Sequence, residues 1–143
     1  MSDEIKAFFD TYERNSTAGD VDRVVLQFAD SFLTADPSGA RTVQASDLKA
    51  ALPKRKQLFQ AMGCKATRLM SLDETPLDDH YVMVRTSWRW EFDRPDRPEI
   101  TLQSTFIVRK SDETLKIVFY LTHEDVMSVL RKHGLLPPAS ATQ

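Results

Sequence analysis

The amino-acid sequence predicts an α+β fold, with helices packed on one face of an antiparallel sheet. Three observations predict it. Apolar residues recur at helical spacing before residue 64, and strand-like alternation dominates 64–122. Short turns carrying "TPLDD", "DRPDRP" and "SDET" separate the alternating segments, which is the pattern of an antiparallel meander.

Each element has its own local reason. Ile5, Phe8, Phe9 and Tyr12 fall at i, i+3, i+4 and i+7 and form the apolar stripe of a first helix, capped by Ser2 or Asp3 and stopped by Gly19. Asp20 caps a second helix, "DVDRVVLQFADSF", with Val21, Val24, Val25, Phe28 and Phe32 on its buried side. "ADPSG" marks a turn in which Pro37 biases Asp36 toward extended geometry, and a short strand "RTVQA" follows. "SDLKAALPKRKQLFQAMG" is helical again, capped by Ser46 and stopped by Gly63. Pro53 has no N–H to donate, so the expectation is a helix, a break, and a second helix with Pro53 in its first turn.

Strands are expected over 64–73, 80–93, 99–110 and 114–122. A last helix, 123–133, begins at "THEDVMSVLRKHG", with Thr122 and Asp125 as a capping box and Gly134 as its C′ residue. The result is one domain over 1–136, followed by a disordered tail, 137–143.

Composition excludes several function classes. The net charge of −2 argues against nucleic-acid binding, whose affinity comes from neutralising phosphates. A single cysteine, Cys64, cannot form an internal disulfide; it suits a reducing compartment and reads as a small buried apolar group. The acidic start has no leader-like apolar region, and no apolar run approaches the ~20 residues of a membrane span. A cytoplasmic protein with no membrane partner is expected. His80, His123 and His133 lack metal-site spacing and no glycine-rich phosphate loop is present, so neither metal nor cofactor is expected. "PKRK", 53–56, reads as a solvated helix face.

The stretch "YVMVRTSWRWEF" interleaves arginines with tryptophans, but strand geometry separates them. Val82, Val84, Thr86, Trp88, Trp90 and Phe92 share one face, while Tyr81, Met83, Arg85, Ser87, Arg89 and Glu91 share the other. In the next strand Ile100, Leu102, Ser104, Phe106 and Val108 make the apolar face. "LKIVFYLT" is apolar on both sides and needs cover on both. The terminal helix, through Val126, Val129 and Leu130, or a second subunit would supply the outer cover.

In order and spacing, "AGDVDRVVLQFADSF", "ADPSG", "DLKAALPKRKQLF" and "LKIVFYLTHED" resemble the nuclear-transport-factor-2-like superfamily, with its SnoaL-like and ketosteroid-isomerase-like branches. The resemblance covers roughly residues 4 to 123. It implies a cystatin-like cone, in which a strongly curved antiparallel sheet wraps around the N-terminal helices, here with an extra C-terminal helix. It also implies a pocket at the open end and a homodimer through the sheet.

The same resemblance implies site residues. The spacing of Tyr12, the Gly-Asp of "AGD" and Asp36 is similar to that of ketosteroid isomerases, where the tyrosine donates to an oxyanion and the aspartate moves the proton. The third position, a protonated carboxyl in those enzymes, is matched by Ser104. Phe32, Trp88, Trp90, Phe92, Phe106 and Tyr120 are the expected ligand-contacting wall. The leading expectation is a noncatalytic SnoaL-like pocket protein for an apolar or aromatic small molecule. The alternatives are an isomerase-, cyclase- or hydratase-like enzyme with Asp36 as general base, and a protein-association module.

Overall fold

The computed structural model describes residues 3–96 and 99–135. Helices α1 (Asp3–Ala18) and α2 (Val21–Leu26) precede a hairpin of β1 (Phe28–Asp36) and β2 (Gly39–Gln44). Helix α3 (Ala45–Met62) leads into the long strands β3 (Cys64–Pro76), β4 (Tyr81–Phe92), β5 (Ile100–Ser111) and β6 (Thr114–Thr122), and α4 (Val126–Lys132) follows. The sheet is six-stranded, in the order β2-β1-β6-β5-β4-β3. Its α+β class agrees with the sequence, but the sheet is mixed: β1 runs parallel to β6, and the other pairs are antiparallel. Ser2, part of the 93–98 turn and the 137–143 tail lie outside the described residues.

Several local expectations are corrected. The second helix stops at Leu26, and Phe28 and Phe32 belong to β1. A separation of four residues keeps two side chains on one face of a helix or of a strand, so the spacing alone does not discriminate. Helix α3 runs unbroken through Pro53. Loss of the Pro53 N–H and ring crowding cost about 3 kcal/mol. Packing on both sides offsets this: Leu48 and Leu52 pack on one apolar cluster, and Leu58, Phe59 and Met62 belong to another. The α3 start is held by Asp47, whose carboxylate accepts from the Gln44 N–H, rather than by Ser46. At α4, Asp125 is itself the cap, accepting from the Met127 and Ser128 N–H groups at 3.1 and 3.3 Å.

The face assignment of β4 and β5 holds residue by residue, with Val82, Val84, Thr86, Trp88 and Trp90 buried on one and Ile100, Leu102, Ser104, Phe106 and Val108 on the other. Bulges bend the long strands toward the helices. One lies between Leu69 and Ser71 of β3, where the Glu13 carboxylate of α1 accepts from the Leu69 N–H at 2.6 Å. A second shifts the β5–β6 register between Ile107 and Val108. It lets Ile117 and Tyr120, of opposite parity, both pack on the interior cluster.

The inner face carries two clusters. One gathers Ile5, Phe9 and Tyr12 of α1 with Phe28, Phe32, Val84, Trp88 and Phe106 of the sheet. The other gathers Met62, Cys64, Trp90, Ile100 and Leu102 under Leu130 of α4. The terminal helix therefore covers the inner face, not the outer face of β6.

Candidate functional site

Between the two clusters the helices do not close onto the sheet, and a cavity of about 560 Å³ remains. Small-molecule sites usually occupy ~300–1,000 Å³. Tyr12, Trp88, Phe106 and Tyr120 wall it from the first cluster, and Phe59, Trp90 and Leu102 from the second. Its exposed lining residues, among them Ala18, Lys56, Gln60, Lys65 and Asp93, mark the open side. Gly63, in the left-handed conformation that ends α3, accepts from the Asp93 N–H at 2.8 Å and fixes this rim to the end of β4.

The aromatic wall is rigidly placed. The Trp88 indole N–H donates to Thr86 Oγ1 at 2.7 Å, and Thr86 in turn donates to the Ser104 carbonyl at 3.0 Å. With its polar edge satisfied within the sheet, Trp88 offers the cavity an apolar surface. Tyr120 stacks on Phe106 with centroids 4.8 Å apart and planes 2° from parallel, and Tyr12 meets the same Phe106 edge-on at 5.6 Å.

A polar cluster sits within this wall. The Tyr120 phenol interacts with the hydroxyls of Ser104 and Thr122 and with the Arg55 guanidinium. Burial alone works to raise its pKa, but the nearby Arg55 charge and these polar neighbours outweigh burial and hold it below the ordinary tyrosine value. Tyr12 goes the other way: burial, reinforced by Tyr120, pushes its phenol well above the usual range. Arg55 is an exposed residue that lines the cavity, with its guanidinium beside the Tyr120 and Tyr12 phenols. Burial works against its charge, and the neighbouring Tyr120 and Tyr12 more than offset that, so its pKa lies above the ordinary arginine value. The face of Phe59 lies 5.1 Å beneath it. The Cys64 thiol, raised chiefly by burial, also lines the cavity and donates to the Ala66 carbonyl at 3.5 Å.

Tyr12, Ser104, Trp88, Trp90, Phe106 and Tyr120 are thus brought together around one space. Asp36 is not. It ends β1 at an exposed turn, and its carboxylate accepts from Ser38 N at 2.8 Å and Ser38 Oγ at 2.5 Å. Those bonds from Ser38 hold its carboxyl below the usual range, opposite to what a base near neutrality needs. Phe32 packs on Phe28 at 4.6 Å and does not line the cavity. Phe92 packs on the cluster beneath α4. His123 is neither at the cavity nor a helix cap: its Nε2 pairs with Thr105 Oγ1 at 2.7 Å.

Arg55 belongs to "PKRK", whose four residues are exposed as expected; Arg55 and Lys56 in addition line the cavity. The signal was present: Leu48, Leu52, Arg55, Phe59 and Met62 are spaced four, three, four and three apart, so one arginine lies in an apolar stripe. The remaining arginines of interest stay outside. Arg85 is exposed, and Glu91 joins Arg68 and Arg89 at 3.2 and 3.8 Å. No group of three or more potential metal ligands occurs among the described residues. None of the described helices is long and apolar enough to cross a membrane.

A bent sheet wrapped on helices, with an aromatic-walled cavity inside, defines the class of cystatin-like cone proteins. Within that class the chain belongs to the family described as NTF2-like protein (DUF6841), which matches residues 3–125. Solved structures agree in fold. An NTF2-like protein of unknown function from Shewanella oneidensis MR-1 is 17% identical, with 85% of this chain and 98% of that chain covered and a TM-score of 0.70. An NTF2-like protein with a cystatin-like fold from Novosphingobium aromaticivorans is 14% identical, over 94% of this chain and 88% of that one, with a TM-score of 0.70. A protein of unknown function with a cystatin-like fold from Nostoc punctiforme is 13% identical, over 85% of this chain and 89% of that one, with a TM-score of 0.66. Comparison with curated proteins finds no match.

Proposed function

We propose that this protein binds an apolar or aromatic small molecule in its interior cavity. The supporting observation is the cavity itself: it is ligand-sized, and fixed aromatic rings wall it around one polar cluster. A filled cone would have suited an association module instead. Binding without catalysis is favoured over the isomerase-like alternative, because Asp36 cannot reach a molecule held among Tyr12, Trp88 and Ser104. Naphthamide, a neutral aromatic probe, tests the reading through quenching of Trp88 and Trp90 fluorescence. Saturable quenching is expected in the wild type and in Asp36→Asn, with weakening in Ala66→Phe, which places a ring in the cavity beside Trp88 and Trp90. Unsaturable quenching by naphthamide and by its carboxylate counterpart naphthoate alike, or saturable binding that Ala66→Phe leaves intact, would end it.

The outer face supports a proposal for a homodimer through the sheet. Leu33, Phe119, Ile107 and Met83 are register partners in one row across β1, β6, β5 and β4. Leu33 is 39% exposed, and α4 leaves this side uncovered. Arg89 and Glu91 supply both charge signs on the same face, as a self-complementary contact requires. The free, buried Cys64 fits a cytoplasmic setting.

A further inference from the structure

Although the chain carries a net charge of −2, its cavity is cationic. Arg55, Lys56 and Lys65 line it, against Asp93 as the one carboxylate among the described lining residues. Asp93 and Arg55 are both exposed lining residues, but Arg55 is the one that interacts with Tyr120 and Tyr12. Arg55 has no ion pair among the described residues: their salt bridges join other side chains. A guanidinium at a cavity wall that pairs with no carboxylate of the chain keeps its donors available to an incoming anion. Its neighbours within the protein are the Tyr120 and Tyr12 phenols and the face of Phe59. The fork of guanidinium donors is therefore not committed to any carboxylate of the chain, and it opens onto space that aromatic rings enclose.

We infer that the cavity selects an aromatic carboxylate, its acid group paired with Arg55 and the Tyr120 hydroxyl and its ring held between Trp88, Phe106 and Phe59. The inference deepens the small-molecule reading above and rests on it. Three features of the site fit this chemistry. A planar carboxylate matches the guanidinium fork with two parallel hydrogen bonds, which a neutral amide cannot reproduce. Tyr120, flanked by Ser104 and Thr122, adds a neutral donor beside the same position, so the anion meets donors on more than one side. Lys56 and Lys65, on the open side, raise the local concentration of an approaching anion.

Naphthoate and naphthamide share a ring system and differ in charge, so calorimetric titration of the wild type with each separates the two levels of the argument. Naphthoate is expected to bind at least about tenfold tighter than naphthamide, the scale of one charge-assisted hydrogen bond. Arg55→Gln is expected to abolish that preference while leaving naphthamide binding in place, and Arg55→Lys to retain part of it. Equal affinity for the two probes in the wild type overturns the carboxylate assignment and leaves the cavity reading standing. Binding of neither probe overturns both. Naphthyl phosphate binding tighter than naphthoate also overturns the assignment, in favour of a dianion held by the lysines. If Arg55→Gln does not fold, the wild-type comparison and Arg55→Lys still decide.

Discussion

Replacing Glu13 by alanine tests how α1 is tied to the bend of β3. The Glu13 carboxylate accepts from the Leu69 N–H at 2.6 Å, at the residue where the β3–β4 register shifts. Leu69 is half-buried, so its amide would be left facing protein rather than bulk water. A hydrogen bond to a charged group contributes about 1.5–3 kcal/mol net, and partial exposure places this one near 2. For a chain near 150 residues that corresponds to a fall in Tm of roughly 4–8 °C. Glu13→Gln keeps an acceptor of the same shape and is expected to lose about half as much. Thermal melts give the stability, and amide hydrogen exchange at Leu69 reports the bond itself. Unchanged protection of the Leu69 amide in Glu13→Ala, with Tm within roughly 1 °C of wild type, would refute the assignment of this contact as the tie.

Three further outcomes are expected. Thr86→Val removes the acceptor of the Trp88 indole and the donor to the Ser104 carbonyl; a loss of about 2–3 kcal/mol in urea unfolding, with altered tryptophan emission, checks it. Gly19→Ala places a Cβ 2.7 Å from Lys56 Cε at a φ of +67°. The lysine end can swing away but the backbone strain cannot, so about 1 kcal/mol is lost and Lys56→Ala does not restore it. In alkaline titration followed by tyrosinate absorbance, Tyr120→Phe should remove a step below the ordinary tyrosine range and Tyr12→Phe one well above it. Above pH ~10 the unfolded chain releases the Tyr12 proton while the folded chain keeps it, so this residue makes stability fall with rising pH; Tyr12→Phe flattens that fall.

Alternation made β4 and β5 legible, because one solvent-facing and one buried side impose a period of two that nothing else in the chain imitates. The cavity wall followed for Trp88, Trp90 and Phe106. Tyr120 reaches the interior alongside Ile117 only through a bulge, which obeys no local pattern. Pro53 misled because helix breaking is a local cost, whereas the packing of Leu48, Leu52, Phe59 and Met62 that outweighs it is tertiary. Asp36 misled for a related reason. Its spacing from Tyr12 suited a site, but the Asp-Pro-Ser-Gly turn satisfies its carboxylate locally and turns it away from the cone.

The parallel pairing of β1 with β6 has a kinetic consequence. Phe28 lies beside Ile117 and Leu33 beside Phe119, so the earliest strand finds its central neighbour only once the last one exists. During synthesis β1 and β2 can zip as an isolated hairpin, which is marginal in water by itself. The antiparallel run from β3 to β6 is built of sequential neighbours and suits early condensation. Docking of the N-terminal hairpin onto β6 is then the late, long-range step. Until it happens, the apolar edge of "LKIVFYLT" is open to pairing with another chain, an aggregation hazard that native stability does not remove.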